Sequence, residues 1–320
     1  MTTRRTLISL AAGLALLWSG AAAAQTDKSP IRLLVGLSPG GTVDVAARLV
    51  AERMSAELGR PVLVDNKPGA GQRLALSEVR RAAPDGRTLI IVTDGPFVIN
   101  PHIYSKLDYT PQDFTPIAGI ADFDMGLGVG PKVDLKDMGQ FLAWARANAP
   151  VPYGSPGNGT LPHFSGVALG QAAKVEVTHV PYKGGVPAVQ DLAAGTVPLV
   201  VTSLNDMMEL HKAGRIRIIA VTGQKRHPML PEVPTMIESG VNVSGSAKIG
   251  LYGPAGMPPA LVKQLADAAM KAVNTPEVQQ RLVAAAMHPA PLDGAGLAQA
   301  QREELKRLEP FAKASGYRAD

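Results

Sequence analysis

The strongest constraint in this chain is a recurring unit: a short apolar run, a glycine-bearing turn, then a segment with apolar residues at helical spacing. "IRLLVGL" at 31–37 is followed by "SPGG" and then by Val43, Ala46, Ala47, Val50 and Met54. An apolar run of that length bounded by glycine reads as a buried strand, and the spacing after it as a helix with one packed face. "PVLVDN" (61–66) and "TLIIVT" (88–93) continue the series, with a helix over 74–83 closed by Pro84-Asp85-Gly86 between them. Strands alternating with helices require crossover connections, so the reading is an α/β fold with parallel strands.

A second series begins after about residue 123. It has helices at 138–149 and 186–195 and strands at 178–182, 198–204, 215–223 and 248–254. Beyond residue 254 the pattern is helical only, over about 258–274, 276–286 and 294–316. Helices without strands of their own must lie on a sheet made earlier, so the chain is expected to return to its first unit.

The first 25 residues belong to neither series. Arg4 and Arg5, the apolar stretch Leu7–Trp18 and the small residues Ala22 and Ala24 have the layout of a secretory signal cleaved near Ala24. The apolar stretch is too short and alanine-rich for a membrane span, and no later stretch is long enough for one. Two arginines in the n-region leave Sec or Tat export open. Removing this segment lowers the formal charge from +5 to +3, with the basic residues dispersed, so no nucleic-acid footprint is indicated. The chain has no cysteine, which excludes disulfides, thiolate catalysis and zinc–thiolate sites.

Two glycine loops carry the candidate chemistry. In "SPGGTVD", Ser38, Pro39, Gly40, Gly41 and Thr42 join a strand to a helix, whose first-turn N–H groups and positive dipole end favour an anion. Thr42 or Asp44 is the candidate cap. The motif is neither a P-loop nor a dinucleotide fingerprint, and a tight turn holding nothing is the alternative reading. "YGSPGNGTLPH" repeats the design with Ser155, Gly157, Asn158, Gly159 and Thr160, and His163 follows as a loop or cap residue. "VPYKGG" is a third strand-to-helix turn, from which Tyr182 or Lys183 reaches toward a cleft or simply meets solvent.

Enzyme signatures are missing. The six histidines are scattered without metal-ligand spacing, there is no G-x-S-x-G elbow, and Asp44 and Asp191 read as structural carboxylates. No catalytic residue, metal or cofactor is expected.

Taken in order, "PIRLLVGLSPGGTVDVAARLVAERMSAELGRPVLVDNKPGAG", "AAPDGRTL", "YGSPGNGTLPHFSG", "VPYKGGVPAVQDLAAGTV", "AGRIRIIAVTGQKRHPMLPEVPTMIESG" and "GLYGPAGMPPALVKQLADAAMKAV" resemble the Bug family, the periplasmic solute receptors of tripartite tricarboxylate transporters. The resemblance runs from about residue 30 to the C-terminus. It implies a two-lobed periplasmic-binding-protein fold of type II-like organisation, hinged on two crossing strands, with lobe one at 25–122 plus 250–320 and lobe two at 123–249. It implies a small carboxylate held between the lobes by backbone N–H groups at Ser38–Thr42 and Ser155–Thr160, with Thr93–Pro96 (Thr93 and Asp94 foremost) and Tyr182–Gly184 nearby. The implied partners are that solute and the permease subunits of the transporter, with a membrane sensor kinase as the alternative recipient, and the receptor itself a monomer.

The chain departs from the family pattern at Pro198, Val201 and Thr202, where acids and an aromatic are usual, and at Lys248-Ile249, where an aromatic pair is common. Losing acids and gaining Lys248 suggests a ligand with a second anionic group, such as a di- or tricarboxylate.

Overall fold

The computed structural model describes residues 29–314 and 316–319. The expected export signal at 1–24 lies outside the described residues.

The first series folds as read. β1 (Ile31–Val35), α1 (Thr42–Leu58), β2 (Val62–Asn66), α2 (Arg73–Arg80) and β3 (Thr88–Thr93) form parallel units with β1 between β2 and β3. Two single-turn helices follow, α3 (Gly95–Val98) and α4 (Asn100–Ile103). Then comes β4 (Phe114–Val129), a strand of 16 residues. Its length was not legible in "FTPIAGIADFDMGLGV", where Pro116, three glycines and two aspartates interrupt the apolar pattern.

The second series comprises α5 (Met138–Ala147), β5 (Val151–Ser155), α6 (Leu161–Ala173), β6 (Val177–Pro181), α7 (Gly185–Ala193), β7 (Leu199–Ser203), α8 (Leu204–Lys212) and β8 (Arg217–Val221). Here β5 runs parallel to both β6 and β7. The chain returns along β9 (Ser246–Pro254) into α9 (Pro259–Asn274), α10 (Pro276–Ala284), β10 (Met287–Asp293) and α11 (Gly294–Ala314).

β4 joins the two halves. Its first part, Phe114–Asp124, pairs antiparallel with β9, which in turn pairs with β3. Its last part, Met125–Val129, pairs antiparallel with β7 and β8. One strand therefore belongs to both sheet halves, and β9 starts beside it at the change, with Ser246 opposite Asp124. The returning helices pack on the first half, α9 against α1 and β4, and α11 against β4 and α3. Their apolar faces need a sheet, and that sheet is made by β1–β4, before the second series begins.

One expectation is corrected. The C-terminal stretch is not purely helical, because β10 pairs antiparallel with β4 through Met287↔Phe123 and Asp293↔Ala118. "MHPAPLD" hides this strand, since Pro289 and Pro291 cannot donate to a ladder. The register slips between Pro289 and Leu292, and pairing to β4 alone tolerates the missing donors.

Where β3 ends against β9, the Asp94 N–H donates to the Lys248 carbonyl at 3.0 Å. Its carboxyl is buried, and neither oxygen has a hydrogen-bond partner among the described residues. Burial, reinforced by the charge of Glu304, pushes this group up to about 8. The folded state thus holds a proton that the unfolded chain releases near pH 4, so this contribution to stability is full below that pH. It is lost as pH rises through the folded value. Wild type is expected to lose stability between pH 5 and 8 in denaturant titrations, and Asp94→Asn to remove much of that slope; equal slopes in the two proteins would refute the assignment.

Candidate functional site

A cavity lies where the two halves meet. The β1–α1 turn supplies Leu37, Ser38, Gly41 and Thr42, and β3 supplies Thr93. The second half supplies Pro156 and Thr160 before α6, Gly185 at the start of α7, and Thr202, Ser203 and Asp206 at the β7–α8 junction. Phe123 of β4 and Ala247 of β9 close the side where the chain crosses. The free volume is about 30 Å³, room for a water or two. Four helix N-termini, those of α1, α6, α7 and α8, border this small space, so partial positive charge reaches it without any basic side chain.

Contacts across the halves are tight. The Ser38 N–H donates to the Lys183 carbonyl at 3.0 Å, and a Cβ on Gly71 would fall 2.0 Å from the Asn158 carbonyl oxygen. Thr42 Oγ1 shares a short hydrogen bond with Ser203 Oγ. Beside it the buried Asp206 carboxylate accepts from the Thr42 N–H (3.1 Å), Thr42 Oγ1 (3.2 Å) and Thr202 Oγ1 (2.8 Å). Burial raises the Asp206 carboxyl above its ordinary range against the pull of those donors. Gly185 makes room for it: a Cβ there would sit 1.8 Å from Asp206 Oδ2. Sequence reading missed Asp206, which is 164 residues from Thr42; its only local signal is an acid in a helix's first turn.

The first glycine loop is more occupied than its sequence suggested. Pro39 and Gly40 are exposed, and the Gly40 N–H donates to Asp44 Oδ2 at 2.9 Å. Asp44 also takes Arg48 and Asn66; burial opposes its ionisation, but these donors hold it below the usual carboxylate range. The cap position is Gly41, with neither Thr42 nor Asp44 making a side-chain cap bond there.

In the second loop Thr160 caps α6, accepting from the His163 N–H at 3.3 Å while its hydroxyl donates to the Gly157 carbonyl at 2.8 Å. His163 lies behind the loop rather than in the cavity wall. Its Nδ1 accepts the Gly159 N–H at 3.2 Å, so the neutral ring carries its proton on Nε2, and it stacks on His179 at 3.8 Å between centroids. Burial, with His179 adding to it, lowers His163 to about 2, which fits a scaffold ring and not a proton carrier. Ser155 faces His179 Nε2 at 2.7 Å, and Asn158 Oδ1 accepts from the Tyr317 hydroxyl at 3.3 Å.

Of the remaining expected residues, Thr93 and Thr202 line the cavity, whereas Gly157, Gly159 and Asp94 stand behind its wall. The Tyr182 hydroxyl donates to Asp191 at 2.8 Å, and the Lys183 side chain is exposed. Lys248 does not line the cavity: β4–β9 register sets it opposite Asp122, and its ammonium donates to that carboxylate at 3.0 Å. No cluster able to hold a metal occurs among the described residues, and no described helix is long and apolar enough to cross a membrane.

An α/β chain whose halves share the strand β4 and enclose a small cavity bordered by helix N-termini and hydroxyl-bearing residues has the build of a solute-binding receptor. Comparison with known proteins gives the particular family. Residues 46–317 match the tripartite tricarboxylate transporter family receptor, TctC, and the chain belongs to that family of solute-binding receptors. A Cupriavidus necator protein described as the UPF0065 protein in the gbd 5' region is 34% identical over 308 residues, 96% of this chain and 93% of that one. Among solved structures, the periplasmic binding protein BugD is 28% identical with a TM-score of 0.86, covering 90% of this chain and 98% of its own. Rpa4515 of R. palustris, solved with adipate, is 31% identical with a TM-score of 0.86, covering 90% and 97%.

Proposed function

We propose that this chain is an exported receptor that captures a small carboxylated solute between its halves and delivers it to the membrane subunits of a tripartite tricarboxylate-type transporter. The observation that carries this reading is the cavity at the meeting of the halves, lined in part by Thr42, Thr93, Thr160, Thr202 and Ser203 and bordered by helix N-termini. A carboxylate beside such an N-terminus gains about 0.3–1 kcal/mol when exposed and up to about 2 when partly buried. Adipate in the structurally similar Rpa4515 supports a carboxylate as the ligand class.

The working division is 25–122 plus 250–320 as one lobe and 123–249 as the other, with β4 and β9 as the hinge and the signal cleaved near Ala24. Groups on both lobes would contact one solute, so its binding would favour the closed arrangement, the form a permease can distinguish. The expectation of a second anionic group rested on the loss of acids near Thr202 and on the gain of Lys248, and the pairing of Lys248 with Asp122 removes the second support.

A thermal-shift screen of the mature chain against mono-, di- and tricarboxylates, amino acids and aromatic acids tests the reading. A true ligand at a hundred times its Kd is expected to stabilise the fold by about 2.7 kcal/mol. No shift across the panel would sink it.

A further inference from the structure

Asp206 supplies the one ionisable side chain among the described residues of the cavity wall, and it is an acid. It is fully built in. Three donors point at it, Thr42 N–H, Thr42 Oγ1 and Thr202 Oγ1, and Gly185 leaves the space in which Oδ2 sits. Thr42 belongs to the first half and Thr202 to the second, so one internal carboxylate bridges the halves at the start of α1.

That position is where an incoming carboxylate would otherwise be received. The Ser38 N–H is used by Lys183, the Gly40 N–H by Asp44 and the Thr42 N–H by Asp206, while Pro39 has none. Two N–H groups of the α1 jaw are therefore already supplied with carboxylates of the chain itself, Gly40 by Asp44 and Thr42 by Asp206, while the Gly41 N–H, also in the cavity wall, is not among them. Behind the opposite wall, where Pro156 and Thr160 line the cavity, the loop before α6 closes on itself through longer contacts, Gly157 N–H to Ser155 Oγ at 3.3 Å and Thr160 N–H to the Gly157 carbonyl at 3.4 Å. Longer bonds yield more readily to a better acceptor. That loop and the α6 N-terminus can receive one ligand carboxylate, and the far end of the same ligand then meets Asp206.

Resting on the receptor reading above, we propose that Asp206 is a specificity-determining residue that occupies the α1 anion position and restricts the site to monocarboxylates, rejecting diacids by occupancy and like-charge repulsion. Two carboxylates crowded together without a cation between them disfavour the doubly charged complex strongly. The wall offers hydroxyls from Ser38, Thr93 and Ser203 for a neutral polar tail, and no ammonium or guanidinium for a second acid.

The test titrates the mature wild type, Asp206→Asn and Asp206→Ala calorimetrically with matched pairs: butyrate and succinate, hexanoate and adipate, benzoate and phthalate. Wild type is expected to prefer a monoacid over its matched diacid by at least about tenfold, and the variants to narrow or invert that ratio. Asp206→Asn keeps the side-chain shape and removes the charge, so it reports even if the alanine variant misfolds. A wild type that binds a diacid as tightly as its monoacid overturns the assignment to Asp206 and leaves the receptor reading intact, as does an unchanged ratio in a folded Asp206→Asn. Binding of no carboxylate in this panel or in the wider thermal screen overturns the receptor reading itself.

Discussion

Gly71→Ala is expected to leave the two halves folded and to cost at least about a hundredfold in affinity for whichever carboxylate the screen returns, close to 2.7 kcal/mol at the binding site. Gly71 has φ +60°, and a Cβ there would lie 2.0 Å from the carbonyl oxygen and 3.1 Å from the carbonyl carbon of Asn158. That obstacle is backbone, on the loop before α6, so no rotamer change relieves it. The left-handed conformation adds about 1–2 kcal/mol for a residue with a Cβ. The variant should therefore hold the halves apart, and small-angle scattering should show a larger radius of gyration with ligand present than for wild type. Unchanged scattering together with affinity within a few-fold of wild type would show that this contact is not part of the binding-competent arrangement.

The largest expected loss of stability in the second half comes from Gly166→Ala. Gly166 lies on α6 with its Cα facing the Tyr153 ring of β5, and an added Cβ would fall 2.1 Å from Cε2 and 2.5 Å from Cζ. The ring has no exposed surface, and its hydroxyl donates to the His163 carbonyl at 2.8 Å. Neither the ring nor the helix can move without disturbing the other, and both carry the loop that holds Thr160. Overpacking of a filled core costs about 1–3 kcal/mol, and a rigid aromatic neighbour puts this case at the upper end. Chemical denaturation of the variant against wild type gives the number directly. A loss below about 0.5 kcal/mol, the ordinary range of surface changes, would mean that the ring shifts aside at little cost.

Much of the fold was legible because its signals are local. β1, β2, β3, β7 and β9 are apolar runs ended by glycine, proline or polar residues, and α1, α9 and α10 repeat apolar residues at helical spacing. β4 and β10 were not, because their strand character comes from neighbours and not from composition. β4 sits between partners on both sides, and β10 has its prolines at a position where missing donors matter little.

The candidate site divides the same way. The glycine loops at Ser38–Thr42 and Ser155–Thr160 announced themselves by their place between strand and helix, and Thr42, Thr93, Thr160 and Thr202 do line the cavity. The sequence by itself determined most of the segments that become strands, which helices start at glycine turns, and that the chain has no cysteine, since those follow from residue type and spacing within a few positions. Tertiary structure alone decided the charge of the cavity wall. Lys248 was removed from consideration by a strand register that sets it on Asp122, and Asp206 was brought to Thr42 by the pairing of sheet halves whose chains meet 164 residues apart. Local periodicity has no range over such separations, and only packing brings the groups within hydrogen-bonding distance.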